Sequence, residues 1–291
     1  MALNLRRQPD THVRPHVPRP RWWREVLYVL AFYLVYSVIR NEGIDAGAAD
    51  EARRHALEVI DLERRLGTFH EAAVQHWFLR WPDFIRFWNV FYGTAHFIVT
   101  VGALVYLFRR MGHRYPLWRN TLACTTGLAL VGYALYPLMP PRLLDASYGF
   151  VDTLEVVGGL WSFDSGPVAK ISNQYAAMPS LHFAWSAWCT LALLPAARRL
   201  WVRALLVAYP FLTLFAIVVT ANHFWLDAAG GAVTLAAGFL LGLALTRLVS
   251  PAPPAPLGVD GSEEAEPAPP TVGPEERPDP AGLERPEEAA G

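Results

Sequence analysis

The stretch WVRALLVAYPFLTLFAIVVTANHFWLDAAGGAVTLAAGFLLGLALT, residues 201–246, is almost free of charged side chains. Its only Asp, Glu, Lys or Arg side chains are Arg203 and Asp227. A membrane-spanning helix needs about 20 mostly apolar residues in a row, and this stretch holds two such lengths. The sequence therefore predicts two membrane-spanning helices, at 201–221 and 224–246, with the polar segment TANHFWLD at their junction.

The rest of the chain continues this pattern. Hydrophobic residues make up 53% of the sequence and the mean hydropathy is +0.21, which favours a membrane protein over a soluble domain. Four further apolar runs bring the number of predicted spans to six, at 25–39, 84–108, 118–138 and 179–197. The first is short for a span, and Trp22 and Trp23 could extend it as interface anchors. The predicted fold class is therefore all-α, an integral membrane six-helix bundle.

Polar segments flank the predicted bundle, which would occupy residues 21–250. Residues 46–66 alternate charged and apolar side chains at helical spacing, which predicts an amphipathic surface helix. With 69–80, it is expected to lie on the membrane surface or to cap the bundle. Residues 1–20 are predicted to be a disordered N-terminal segment. Residues 251–291, with their many prolines and acids, are predicted to be a disordered tail.

The placement of arginine predicts the orientation in the membrane. Arginines concentrate in the N-terminal segment, in the loops at 109–119 and 198–203, and at Arg247 after the last span. With six spans these places all fall on one side, and cytoplasmic loops are enriched in Lys and Arg. Both termini are therefore expected to be cytoplasmic. The loop at 139–178 and the junction at 220–227 are then expected on the outer side of the plasma membrane.

Three groups of polar residues fall on that outer side. They are YPLMPPRLL with Arg142, MPSLH with Ser180 and His182, and TANHFWLD with His223 and Asp227. Ionisable side chains are costly at membrane depth and are candidates for function wherever they occur there. Three distant parts of the chain are thus expected to bring charged and titratable groups to one membrane leaflet.

These residue types suit one kind of chemistry. His223 and Asp227 are four residues apart, which places them on one face of a helix. Asp227 could accept a hydrogen bond from one imidazole nitrogen and make the other more basic, and His182 could act as a general acid. The guanidinium of Arg142 and the helix N-terminus at Ser180 favour an anion with several oxygens, and phosphate fits best.

The same segments resemble the motifs of the type 2 phosphatidic acid phosphatase superfamily. P-S-L-H at 179–182 is similar to the P-S-G-H block of that superfamily, with Leu181 in place of glycine. H-F-W-L-D at 223–227 is similar to the end of the S-R-x5-H-x3-D block, with Ala216 and Ile217 at the S-R positions. The first block of the superfamily, K-x6-R-P, is replaced here by P-P-R at 140–142.

The branch that contains the inositol phosphorylceramide synthases resembles this chain most closely. That branch also has P-P-R, M-P-S-L-H and N-H-x-x-x-D blocks, and here P-P-R stands at 140–142. The resemblance covers about 84–246, which is therefore the expected catalytic core.

The resemblance implies a membrane enzyme that transfers or hydrolyses the phosphoryl group of a lipid phosphate or phosphodiester, with no metal or cofactor. His223 would attack phosphorus to form a phosphohistidine, Asp227 would orient it, and His182 would protonate the leaving group. Arg142, Ser180 and Lys170 would bind the phosphate. The acceptor would be water, as in a lipid phosphatase, or an alcohol such as inositol. No nucleic-acid partner is expected.

Other interpretations of these residues stay open at the level of sequence. A non-catalytic membrane lipid-binding or transport protein would need the same outward anion site. An H-x-x-x-D pair is also half of a metal site. Arg142 can be an interfacial residue whose head group reaches water. His96, in the middle of a predicted span, is either a satisfied bundle residue or part of a lipid cavity.

Overall fold

The computed structural model describes residues 21–28, 30, 34, 46–159 and 174–249. The segments predicted to be disordered, 1–20 and 251–291, lie outside the described residues, and so does Lys170. Most of the first predicted span, 25–39, also lies outside them.

The described chain is mostly helical. In chain order the helices are α1 (22–28), α2 (Ala46–Leu66), α3 (Glu71–Leu79), α4 (Pro82–Arg110), α5 (Tyr115–Leu135), α6 (Thr153–Val156), α7 (Leu181–Leu193), α8 (Leu200–Val219) and α9 (Trp225–Val249). Short 3-10 turns occur at Pro141–Leu143, Ala146–Tyr148 and Leu194–Ala196. Within the described residues there is no β-strand, and Leu138 and Ala176 form an isolated parallel bridge.

Three of these helices, α4, α8 and α9, are long and apolar enough to cross a membrane. The predicted span at 179–197 is helical but shorter, because α7 begins after Ser180 and gives way to a 3-10 turn at Leu194. The predicted span at 118–138 corresponds to α5, which carries polar side chains such as Arg119 and Asn120 near its beginning. The described residues therefore contain three candidate spans.

Helices α5 and α9 pack closely because glycines leave room for polar side chains. A Cβ atom at Gly238 would lie 2.2 Å from Oγ1 of Thr125, and one at Gly242 would lie 2.6 Å from the backbone nitrogen of Thr121. Both threonine hydroxyls donate to carbonyl oxygens one turn earlier in α5, so they are satisfied within the interface. Small residues that allow close backbone approach are typical of helix contacts inside membranes.

Helix α2 packs over the loop that follows α5. One side of α2 is buried, including Ala52, Ala56 and Ile60, and contacts Leu138 and Phe224 in a common apolar cluster. The carbonyl of Ala52 accepts a hydrogen bond of 3.1 Å from the backbone N–H of Met139. Helices α2 and α3 therefore cover the end of the bundle at which α5 and α8 end and α7 and α9 begin.

Candidate active site

The three predicted polar groups meet at that covered end of the bundle. The backbone N–H of Arg142 donates to the carbonyl of Ala221 at 2.8 Å, and that of Ser180 donates to the carbonyl of Asp227 at 2.9 Å. These two bonds tie the segments that carry Arg142 and His182 to the junction of α8 and α9. The expectation that distant parts of the chain share one place thus agrees with the geometry.

His223 lies in the short turn between α8 and α9. Its backbone N–H and that of Asn222 both donate to the carbonyl of Ile217, at 3.1 and 3.0 Å, and Ala221 has a positive φ of 53°. The sequence predicted His223 at the start of a helix, but α9 begins two residues later, at Trp225. The turn still directs the imidazole back onto the first turn of α9.

His223 and Asp227 form a buried pair. Nδ1 of His223 is 3.2 Å from Oδ2 of Asp227, and the two side chains are 4% and 0% exposed. A carboxylate only accepts, so Nδ1 carries the proton and Nε2 keeps its lone pair. Nε2 is buried and has no hydrogen-bond partner among the described residues. The same Oδ2 accepts from the backbone N–H of Phe224 at 2.9 Å, which fixes the carboxylate.

His182 faces His223 across a narrow gap. The centroids of the two rings are 5.5 Å apart, with the planes inclined by 61°. The ring of Tyr92 stacks on His182 with a centroid distance of 4.2 Å, and the ring of His96 makes an edge contact with it, also at 4.2 Å. The two imidazoles are therefore close enough for one small group to touch both of them.

The guanidinium of Arg142 is held beside the histidine turn. Nε donates to Oδ1 of Asn222 at 3.1 Å, and Nη1 donates to Oδ2 of Asp152 at 2.5 Å. Asp152 also accepts from the backbone N–H groups of Leu154 and Glu155, so it caps α6 as well. Arg142 is only 9% exposed, which differs from the interpretation of a side chain that reaches out to water.

Ser180 marks the start of α7 and is fully buried. Its hydroxyl accepts from the backbone N–H of Phe183 at 3.5 Å, as an N-cap does. A Cβ atom at Gly231 would lie 2.5 Å from the carbonyl oxygen of Ser180, so α9 and the beginning of α7 are in direct contact there. Lys170, the other predicted phosphate ligand, lies outside the described residues.

Sequence reasoning missed Tyr92 and Asp152 as neighbours of the site and left His96 between two interpretations. Tyr92 and His96 are four residues apart on α4, and Nδ1 of His96 is 2.9 Å from the carbonyl of Tyr92. Their spacing on one helix face was the available signal for both. Asp152 gave no signal, because it stands in a loop whose path the sequence does not predict.

The described residues contain no group of three or more His, Cys, Asp or Glu side chains placed to hold a metal ion. Within that part of the chain, no third side chain is placed to complete a metal site with His223 and Asp227.

Comparison with known proteins agrees with this geometry. A family model described as PAP2 superfamily matches residues 57–241, which is more than half of the chain. No curated protein matches the chain. No solved structure matches it either. The matched range begins in α2, ends in α9, and includes Arg142, His182, His223 and Asp227. The chain belongs to the PAP2 superfamily.

Proposed function

We propose that this protein is a membrane-embedded phosphoryl-transfer enzyme that acts on a lipid phosphate or phosphodiester through a phosphohistidine at His223. Membership of the PAP2 superfamily suggests a phosphatase or phosphotransferase, and the apolar helices suit a lipid substrate in a membrane. The observation that carries the proposal is Nε2 of His223, which is buried, unpartnered among the described residues, and backed by Asp227 through Nδ1.

The proposed first step is an in-line attack of Nε2 of His223 on phosphorus. The bond from phosphorus to the leaving oxygen breaks as the N–P bond forms, and protonated His182 gives its proton to that oxygen. Asp227 keeps Nδ1–H in place and stabilises the positive charge that develops on the imidazole. In the second step water or an alcohol attacks the phosphohistidine and gives its proton to His182.

Positive charge and backbone dipoles would hold the phosphoryl oxygens during both steps. Arg142 is fixed by Asn222 and Asp152 next to the histidine turn, so its position costs little reorganisation during the reaction. The N-terminus of α7 at Ser180 adds the partial positive charge of a helix start. Lys170 is proposed as a further phosphate ligand from its place in the loop.

We further propose a six-span bundle in the plasma membrane, with the site on the outer side and both termini in the cytoplasm. The support comes from the positions of the arginines in the sequence. Cysteines introduced singly into loops would be labelled from outside only at the site end of the bundle if this orientation is right. If cysteines near Arg109 and Arg110 are labelled from outside, the protein has the opposite orientation in the membrane.

Trapping of the intermediate tests the reaction. Purified protein in detergent is mixed with lipid phosphate carrying labelled phosphorus and quenched in alkali, in which phosphohistidine survives. We expect label on the wild-type chain and none on His223→Gln. A lipid-binding or transport protein would carry no label, and its function would survive His223→Gln.

The acceptor is tested with the same preparation. Lipid phosphate and lipid phosphodiester substrates are supplied with and without candidate alcohols, inositol among them. Formation of a new phosphodiester supports the inositolphosphotransferase-like reaction that the P-P-R and M-P-S-L-H blocks favour. Release of free phosphate alone supports a lipid phosphatase.

A further inference from the structure

Three carboxyl groups cap the first turn of α9, the helix that carries Asp227. The backbone N–H of Phe224 donates to Asp227, that of Trp225 donates to Oε1 of Glu71 at 3.2 Å, and that of Leu226 donates to Oε1 of Glu63 at 2.8 Å. The first N–H groups of a helix have no partner within the helix. Here two of them are satisfied by helices α2 and α3, which stand far upstream in the sequence.

Glu63 and Glu71 are fully buried and are held side by side, because they accept from the backbone N–H groups of two consecutive residues of α9. In each carboxyl group Oε1 accepts from the backbone of α9, while Oε2 is buried and has no donor among the described residues. The charged group that acts on Glu63 from α9 is Asp227, which is itself bonded to His223. No described cation is paired with either glutamate.

Two buried carboxylates on adjacent N–H groups would repel each other and would each leave an oxygen unsatisfied. A single proton removes both difficulties, because the protonated Oε2 of one group can donate to Oε2 of the other. We infer that Glu63 and Glu71 share one proton, and that this bridged pair is the positioning element that holds the start of α9, and with it His223 and Asp227, against α2 and α3.

The position of the pair gives it an effect on the reaction without contact with substrate. The inference rests on the proposed function, because it assigns the pair to positioning His223 and Asp227 for phosphoryl transfer. Burial, together with the hydrogen bond to Glu71, raises the pKa of Glu63 to about 9. Above that pH the pair loses its proton, two adjacent negative charges remain, and the cap on α9 is weakened. We therefore expect a loss of activity at alkaline pH that is caused by ionisation of the glutamate pair and not by deprotonation of a histidine.

Infrared spectroscopy tests the shared proton without any assay of activity. Wild-type protein is titrated from neutral to strongly alkaline pH while the C=O stretch of protonated carboxylic acids is recorded. We expect a band that disappears near pH 9, that is absent in Glu63→Gln, and that persists in Asp61→Asn. Asp61 is an exposed carboxylate on the same helix and is the matched control. A wild-type spectrum without such a band, or a band unchanged by Glu63→Gln, overturns the inference.

Kinetics then tests the positioning role. In Glu63→Gln the amide donates permanently to Glu71 and its oxygen still accepts from Leu226, so we expect near wild-type kcat at neutral pH and no separate fall in kcat near pH 9. Glu63→Leu keeps the volume but loses both bonds, and we expect kcat to fall by about 10-fold or more at every pH with KM little changed. If Glu63→Gln is as impaired as Glu63→Leu, the pair does not position the site through a shared proton.

The two proposals fail in different ways. A wild-type protein without phosphoryl-transfer activity contradicts the proposed function, yet the infrared band still reports the shared proton. An active enzyme whose fall in kcat near pH 9 persists in Glu63→Gln contradicts the positioning role and leaves the phosphohistidine mechanism intact.

Discussion

The contact between α9 and the start of α7 at Gly231 holds the two histidine segments together. A Cβ atom at this position would lie 2.5 Å from the carbonyl oxygen of Ser180 and 3.5 Å from the backbone nitrogen of Ala184. Both neighbours are backbone atoms, which cannot rotate away as the end of a side chain can. Gly231→Ala must therefore separate the helix of Asp227 from the helix of His182.

The size of the effect follows from that distance. Close contacts between carbon and a carbonyl oxygen lie at about 3.3 Å or more, so the backbones must separate by roughly 0.8 Å. Overpacking of this kind costs about 1–3 kcal/mol, and replacing glycine by alanine within a helix offsets up to about 1 kcal/mol of that. A displacement near 1 Å between reacting groups lowers a rate by about 10²-fold. We therefore expect a large loss of kcat with only a modest loss of stability.

Two other glycines of α9, Gly230 and Gly238, provide matched controls for this variant. A Cβ atom at Gly230 would make ordinary contacts of 3.5 Å with Met178 and Pro179, so Gly230→Ala should keep wild-type activity. Gly238→Ala clashes with Thr125 in α5, away from the histidines, so it should lower stability more than it lowers kcat.

The assay for all three variants is the release or transfer of phosphate from lipid phosphate in detergent, with thermal unfolding measured on the same samples. Wild-type kcat and stability in Gly231→Ala would show that a methyl group at this position does not separate the two helices. A loss of kcat in Gly238→Ala as large as in Gly231→Ala would instead reflect general destabilisation of α9 and would contradict a specific role of the contact with Ser180.

Three further predictions concern charged groups. Asp227→Asn should lower kcat by about 10²-fold or more at nearly constant KM, because a neutral amide can accept from Nδ1 of His223 but cannot stabilise the positive charge that develops on the imidazole, and an unchanged kcat would exclude this role of Asp227. Arg142→Lys cannot keep the contacts with both Asn222 and Asp152, so KM for lipid phosphate should rise by about 10-fold in steady-state assays, whereas an unchanged KM contradicts phosphate binding there. Finally, Glu63 stays protonated up to about pH 9 in the folded protein, but in the unfolded chain it loses its proton above the ordinary pKa of 4.5. Between pH 4.5 and about 9 the folded state therefore binds more protons, so thermal stability should fall as the pH rises through this range. The slope should flatten in Glu63→Gln and stay unchanged in Asp61→Asn.

Much of the helical layout could be predicted from the sequence. Long apolar runs predict helices at 84–108, 201–221 and 224–246, and α4, α8 and α9 are found there as candidate membrane spans. Helix formation depends on local spacing and on the lack of charge, so these features can be recognised in a chain without coordinates. The count of six spans stays a prediction, since three such helices occur in the described part of the chain.

The candidate site was only partly predictable. The residue types and the spacing of His223 and Asp227 indicated which side chains to consider, and the arginine pattern suggested that three segments share one side. The partners of those side chains were not predictable. Asp152 reaches Arg142 from a loop, and Tyr92 and His96 contact His182 from α4.

The positions of the helices, and the few polar groups that interrupt them, could be predicted without coordinates, because both depend on residues close together along the chain. In contrast, the capping of the Asp227 helix by Glu63 and Glu71 and the contact of Gly231 with Ser180 can be seen only in the folded protein. These contacts join segments 50 or more residues apart. They arise from the way whole helices pack, in which each buried polar atom must find a partner wherever the chain brings one.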